Sequence, residues 1–539
     1  MRKLLLGIIA VLMLLLIWRN QSLFNFKETE LTPTQREIAW VYPASYSSAW
    51  ERLISSGQIL STHPNEFLSK VRIETGSQTF PDLTASVPFF KITHPDSNLS
   101  IIVKWYKISS DMQYENWMKN FFSRKIFPTV IVGGATTDDA FGLAQALTKE
   151  SKNIAQEKLP PLILTTASSN NRASNLNGAL GPDSSEDLGL MKIHPSKTFR
   201  FGFDNRIISD AIIRLLWSNS DLKPDSDPVH FVLWEDDSYA RDLISSFWAS
   251  LNKQTKTDIL NEFSFVFLSL LSNQNSFFLA PPLHLLGKNA SNFRMNIPPI
   301  PQIIDSSIGV RYTTNRFEKD ALRFLLLDIQ LKPPQVQPLM LLGSQSLQAR
   351  RFLKDLALTD LKLAQSLVVV TGDTLSLNTV YRDREISWPV SEIPSKVIFF
   401  SHANPISSQA GFVPIDDWAK TDNLVKASST EELIFSSQIL EGLLPSLFKD
   451  SGVDLASELR KLTWNGSRVT VGKGVPLFDS TGNRNPGTGE FLGVLKPLGD
   501  ALDRSSAKIE IWSINGSEDN YRSGLSLRAT LSFKAGDRK

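Results

Sequence analysis

Short apolar runs alternate along this chain with amphipathic stretches of helical period. Strands are predicted at Ile38–Tyr42, Ile101–Tyr106, Thr129–Val132 and Pro161–Leu164, the last ending at Thr165. Helices are predicted around Tyr46–Ser55, Tyr114–Ser123 and Asp138–Lys149. The alternation then repeats: strand Phe199–Phe203, helix Ile207–Trp217, strand Val229–Trp234, helix Tyr239–Leu251. Beyond it come helix Phe317–Leu331, strand Pro338–Leu342, helix Leu347–Leu356, strands Leu367–Val370 and Val397–Phe400, and helix Glu431–Leu447. Strands of four to six apolar residues separated by helices predict parallel sheets buried on both faces. There are enough units for two sheets. Right-handed crossovers then give an α/β protein of two doubly wound lobes, with a ligand expected beyond the carboxyl ends of the strands.

Four segments break the alternation: Leu60–Asn98, Asn170–Lys197, Asn273–Pro301 and Gly472–Phe491. They are rich in Ser, Asn, Gly and Pro and read as loops or insertions. There is no internal repeat of fixed period.

At the amino end, Arg2 and Lys3 precede an unbroken apolar run from Leu4 to Trp18, closed by Arg19. The run is short for a bilayer span, which needs roughly 17–25 residues. Flanking cations that snorkel and an interfacial Trp18 would let it cross. No small-x-small cleavage site follows, so the reading is an uncleaved signal anchor over residues 1–20, with a cleaved secretory signal as the alternative. Residues 21–36 read as a polar tether. The positive-inside rule places Met1 in the cytoplasm and the remainder outside. Phe263–Leu271 is too short to be a second span.

Composition narrows the classes further. The 539 residues are 42% hydrophobic and 21% charged, globular proportions that exclude a disordered or fibrous chain. A net charge of +2 gives no reason to expect a nucleic-acid partner. The chain has no cysteine, which excludes disulfides, cysteine-ligated zinc, a thiol nucleophile and a lipid-modified cysteine.

The chemistry concentrates at predicted strand ends. Gly133-Gly134-Ala135-Thr136-Thr137-Asp138 follows a strand and opens a helix. Its glycines admit a ligand close to the backbone, its threonines offer hydroxyls, and the helix N-terminus favours an anion. Capping by Thr137 or Asp138 accounts for the same residues. Thr165-Thr166-Ala167-Ser168 ends the next strand, either as a second set of donors or as a polar turn. Glu235-Asp236-Asp237-Ser238-Tyr239 follows the strand VHFVLW; a carboxylate there would meet an ammonium, or Asp237 or Ser238 would cap the helix. Asp204 and Asp373 also follow strands, as caps or ligand contacts.

No nucleophile elbow, zincin helix or P-loop occurs, and the six histidines form no metal-ligand pairs. No catalytic residue, metal or cofactor is assigned.

TVIVGGATTDDAFGLAQAL, PPLILTTASSNN, TFRFGFDNRIISDAII and VHFVLWEDDSYARDLISSFWASL resemble the type I periplasmic binding proteins. The resemblance is to the leucine/isoleucine/valine-binding group of ABC-transporter substrate-binding proteins. PLMLLGSQSLQARRFLKDL, LAQSLVVVTGD, EELIFSSQILEGLL and VGKGVPLFDSTGNR look like the later units of the same family. The resemblance implies a Venus-flytrap: lobe 1 from residues 37–203 with 402–480, lobe 2 from 204–401 with 481–539, joined by a hinge of three crossovers. It implies that an amino-acid-like ligand's carboxylate meets Gly134, Thr136, Thr137, Thr166, Ala167 and Ser168. The ammonium would meet Asp204, and Tyr239 would contribute from the second lobe. A transporter permease is the implied partner. The sequence departs from the pattern in carrying Asp138 where a Ser or Thr is usual, in its insertions and in its anchor. A sensor or scaffold that has lost solute binding is therefore the alternative. An enzyme using Asp236, Asp237 and Asp373 is a third reading.

Overall fold

The computed structural model describes residues 31–43, 49–60, 63, 65–75, 89–108, 114–152, 154–155, 158–171, 189–222, 229–233, 238–255, 339–344, 346–375, 394–405, 430–449, 454–498, 506–515 and 524–534. The anchor at residues 1–20, the strand–helix turn at Glu235–Asp237, the run Phe263–Leu271, the segment Asn273–Pro301 and the helix expected at Phe317–Leu331 lie outside them. Among the described residues, no helix is long and apolar enough to cross a membrane.

Two seven-stranded sheets organise the chain. The first contains β1 (Gln35–Pro43), β2 (Arg72–Thr75), β3 (Phe89–Thr93), β4 (Ser100–Ile108), β5 (Val130–Gly133), β6 (Leu162–Leu164) and β7 (Thr198–Arg200). Their order is β2-β3-β4-β1-β5-β6-β7. β4, β1, β5, β6 and β7 are mutually parallel, while the β2–β3 hairpin joins β4 antiparallel. The second sheet contains β8 (Val229–Leu233), β9 (Leu339–Gly343), β10 (Val368–Val370) and β11 (Lys396–Ser401), all parallel. Past a three-stranded sheet of β12 (Leu462–Trp464), β13 (Val469–Val471) and β14 (Val475–Pro476), the chain completes the second sheet with an antiparallel meander. Its strands are β15 (Thr488–Leu498), β16 (Ser506–Asn515) and β17 (Leu525–Lys534).

Both sheets are thus mixed, whereas purely parallel sheets were expected. Each has a parallel centre with both faces buried and an antiparallel flank. The β2–β3 hairpin lies in the stretch Leu60–Asn98 that reads as a loop, because its two strands are short and separated by polar residues. The meander was not foreseen: Pro497, Gly493 and several charged side chains interrupt its apolar pattern.

The first sheet is covered on both sides. One face packs Trp40, Val103, Val132 and Ile163 against residues of the helices Ala49–Ile59 and Thr430–Leu447. The other packs Ala39, Val41, Ile131 and Leu164 against the helices Tyr114–Phe122 and Thr137–Glu150. One face of the second sheet packs Leu341, Val370, Ile398, Phe400 and Val494 against the helices Asn205–Ser218 and Ser238–Thr255. Each such aliphatic or aromatic side chain contributes roughly 1.5–3 kcal/mol on burial. The helix Thr430–Leu447 belongs to the first core although its residues follow β11 of the second sheet. The chain therefore passes between the two units three times: after β7, after β11 and before β15.

Candidate functional site

The five parallel strands of the first sheet run β4-β1-β5-β6-β7. From β1 the chain crosses to β4 on one side; from β5 it proceeds to β6 on the other. This is a topological switch point, where the connections diverge and leave a crevice outside the strand ends. The turns after β5 and β6 form its lip.

Gly134 leaves β5 at φ +71°, a left-handed conformation suited to glycine, and a Cβ there would stand 3.0 Å from both Ala140 Cβ and Leu164 Cδ2. Thr136 caps the helix Thr137–Glu150: its hydroxyl accepts from Asp139 N at 3.2 Å and donates to Asp139 Oδ2 at 2.8 Å. The cap is thus Thr136, not Thr137 or Asp138. Thr137 is buried. Asp139 is held from its other side by the Tyr114 hydroxyl.

The turn after β6 docks on the turn after β5. Thr165 N donates to Gly133 O and Ala167 N to Gly134 O, at 2.9 and 3.1 Å. The Thr166 hydroxyl donates to Ala135 O at 2.9 Å. Ser168 is buried, and its Oγ has no hydrogen-bond partner among the described residues; the same holds for Thr165 Oγ1.

Asp204 is buried and caps the helix Asn205–Ser218, accepting from Ile207 N at 2.9 Å and from Asn170 Nδ2 at 3.2 Å. Both of its oxygens are engaged. The capping alternative is the geometry found, and a ligand ammonium would have to displace Asn170 to reach it.

In the second unit, the ends of β9, β10 and β11 lie together. Tyr239, half-buried, donates to Thr371 O at 3.4 Å and accepts from Thr374 Oγ1 at 2.8 Å, and Thr374 Oγ1 also lies 2.7 Å from Ser344 O. His402 bridges three elements. Its Nδ1 accepts from Phe203 N at 3.0 Å, its Nε2 lies 2.9 Å from Asp373 Oδ2, and its backbone N donates to Glu431 Oε1 at 2.9 Å. A backbone donor at Nδ1 places the ring proton on Nε2, facing Asp373. Both ring nitrogens are thus engaged within the protein. Burial pushes the Glu431 carboxyl up to about 7. Asp236 and Asp237, the other carboxylates of the enzyme reading, lie outside the described residues.

Residues not singled out beforehand join the two units. Asp242 accepts from Asn170 N at 3.2 Å, Asn171 Nδ2 at 3.4 Å and Asn205 Nδ2 at 2.9 Å. Buried Arg200 donates to Asn170 Oδ1 at 2.8 Å and to Ser169 O at 2.9 Å. Burial raises the Asp242 carboxyl and lowers the Arg200 guanidinium. Asn170 and Asn171 begin a stretch that reads as an insertion. Asp242 stands three positions after Tyr239, hence on the same helix face, and Arg200 interrupts the apolar run TFRFGF; these were the available signals.

At the third passage, Arg484 is fully buried. It donates to Phe201 O at 2.7 Å and Thr488 O at 2.5 Å, and lies 4.4 Å from the centre of the Phe203 ring. Gly202 sits between the passages: a Cβ there would stand 2.5 Å from Thr165 O. No group of histidines and carboxylates suited to a metal occurs among the described residues.

No protein-family model and no curated protein matches this chain. Among solved structures, it is similar to an ABC-transporter substrate-binding protein from Desulfitobacterium hafniense in complex with Leu, at 12% identity and a TM-score of 0.47, over 87% of this chain and 98% of the other. It is similar to a leucine-binding protein from Thermotoga maritima at 10% identity and a TM-score of 0.44, over 92% and 98%. It is also similar to a solute-binding protein of an ABC transporter from Rhodopseudomonas palustris in complex with 3,4-dihydroxybenzoic acid, at 12% identity and a TM-score of 0.44, over 93% and 98%. Leucine/isoleucine/valine-binding and related ABC-transporter substrate-binding proteins are thus the solved structures this chain is similar to.

Proposed function

We propose that this chain is a solute-binding protein that captures an amino-acid-like or other small polar ligand between two lobes hinged at three passages. In this reading lobe 1 is 37–203 with 402–480 and lobe 2 is 204–401 with 481–539. The apolar run at residues 4–18 anchors the body outside the membrane, and an ABC-transporter permease receives the ligand. The protein binds and does not catalyse. One observation supports the reading: the turn after β6, beside the β1/β5 switch point, carries a buried hydroxyl, Ser168 Oγ, with no partner among the described residues. A ligand carboxylate would accept its proton, and the N-terminus of the helix Thr137–Glu150 would favour the charge.

The test is a thermal-shift screen of the full chain in detergent against amino acids, short peptides, polyamines and sugars, followed by calorimetry with Ser168→Ala. A ligand at ~100 times its dissociation constant adds about 2.7 kcal/mol of stability. Loss of the Ser168 hydroxyl should weaken a carboxylate ligand about tenfold. A flat screen on folded protein refutes the reading.

A second reading, a sensor or scaffold on the same fold, is favoured by a different observation. The Thr136 and Thr166 hydroxyls and the Asp204 carboxylate are already engaged within the protein. Capture of an envelope protein whose binding ignores small molecules supports it. Recovery of permease subunits alone counts against it.

A further inference from the structure

We propose that Asp242 is a built-in pseudo-ligand: a carboxylate of the second unit that takes up two donors of the first, Asn170 N and Asn171 Nδ2, and keeps the two units together when no solute is bound. The proposal rests on the solute-binding reading for its meaning, and on the contact itself for its test.

Asp242 stands on the helix Ser238–Thr255, which packs in the second core. Its carboxylate crosses to the turn after β6. There Oδ2 accepts the backbone N–H of Asn170 and Oδ1 the Asn171 amide, while the Asn205 amide, from a helix of the second unit itself, also donates to Oδ2. A carboxylate this buried carries a large desolvation cost unless donors surround it. Here the donors are neutral amides, and the Arg200 guanidinium acts through Asn170, whose Oδ1 it holds at 2.8 Å. Arg200 also fixes the Ser169 carbonyl, and Asn205 Nδ2 lies 3.3 Å from Ser169 Oγ. The turn Ser168–Asn171 is therefore shaped around a carboxylate, and the protein supplies that carboxylate itself. This is the turn that carries the unpartnered Ser168 hydroxyl. A free ligand must either take the place of Asp242, which restricts it to carboxylates, or bind beside it in units already brought together. A contact made without solute shifts the open–closed equilibrium towards the closed arrangement by its own free energy.

The chain lacks cysteine, so two introduced ones are the only labelling sites. Lys119→Cys on the first unit and Lys354→Cys on the second, both exposed, take spin labels in the full chain held in nanodiscs. Pulsed dipolar spectroscopy then reads the distance between units. In the otherwise unchanged protein the distribution should be narrow. Asp242→Ala should add a population at longer distance, and sodium acetate, but not sodium chloride at equal ionic strength, should remove it. A folded Asp242→Ala protein with the original distribution overturns the proposal, and rescue by chloride as good as by acetate overturns the assignment to a carboxylate. If Asp242→Ala loses the circular-dichroism signature of the fold, Asp242→Asn and the exposed Asn171→Ala decide in its place: a longer-distance population in either supports the latch, and two unchanged distributions overturn it. A thermal-shift screen on both proteins separates the readings. Units that open in Asp242→Ala without any amino acid stabilising either protein leave the latch standing and remove the solute-binding function.

Discussion

His402 Nδ1 accepts the backbone N–H of Phe203 at 3.0 Å, and this bond ties the first passage of the chain between the units to the second. The same ring reaches Asp373 at the end of β10. Replacing His402 by Ala leaves a buried N–H and a nearly buried carboxylate without their partner. The expected loss of stability is about 2–4 kcal/mol, well above that of a surface substitution. Urea denaturation monitored by tryptophan fluorescence measures it; a loss below about 0.5 kcal/mol would show that the ring does not tie the passages.

Arg484 does the same for the third passage. Its guanidinium satisfies the carbonyls of Phe201 and Thr488, and its charge lies over the Phe203 ring. Arg484→Met keeps the volume and orphans both carbonyls, at a cost of about 1–3 kcal/mol each. Arg484→Lys should recover part of that and not all, because a single ammonium cannot reproduce the planar fork. Equal midpoints for the Met and Lys variants would contradict this account.

Acid–base behaviour should follow from the same region. Glu490 is buried, with Oε1 accepting from Gly487 N at 2.7 Å, and burial pushes its carboxyl up to about 7 from an ordinary 4.5. A carboxyl raised on folding favours the folded state while protonated. Its contribution is fully present below pH 4.5 and is lost as pH rises through about 7. The full span is worth about 3 kcal/mol. Glu431, pushed up to about 7 by its own burial, adds in the same direction. Stability measured by denaturant should therefore fall between about pH 4.5 and pH 7, and Glu490→Gln should flatten that fall. An identical slope in wild type and variant would rule Glu490 out as its source.

Gly134 gives a sharper test of the site. At φ +71° an added Cβ is strained by about 1–2 kcal/mol and meets Ala140 and Leu164. Gly134→Ala should lower the melting temperature and, by moving the turn on which Ala167 N docks, weaken ligand binding as well. Unchanged affinity in the destabilised variant would place the ligand elsewhere.

Much of the fold was legible in the sequence because its central strands are buried on both faces. TVIV, LMLL and VIFF leave little alternative to a covered parallel strand, and helices elsewhere in the fold start at residues such as Thr136 and Asp204 whose side chains cap them. The flanks were less legible. The β2–β3 hairpin and the β15–β17 meander pack less completely, so Lys91, Lys496, Lys508 and Glu510 interrupt their pattern and the stretches look like loops. Around the candidate site, the turns Gly133–Thr137 and Thr165–Ser168 after β5 and β6 were legible, since glycine and hydroxyl residues at strand ends are a local signal. It did not pair Asp204 with Asn170 or Asp242 with Asn171, because those partners are distant in the chain and amide side chains give no periodic signal. The polar groups that join the units were missed for the same reason: Arg200, His402 and Arg484 each stand alone in an apolar or nondescript context.

The interleaving of the two sheets sets the order in which the chain becomes stable. Val397 of β11 lies opposite Leu495 of β15, and between them the chain has gone back to lay the helix Thr430–Leu447 into the first core. Neither half can close on a contiguous stretch. The first core lacks that helix until it has been made, and the second sheet lacks three strands until the last segment emerges. Such distant pairings make assembly slow, with apolar strand edges uncovered meanwhile. A truncation that removes β15–β17 should leave β11 as a bare edge and give an aggregating protein. Neither unit should be obtainable by cutting the chain at a single point.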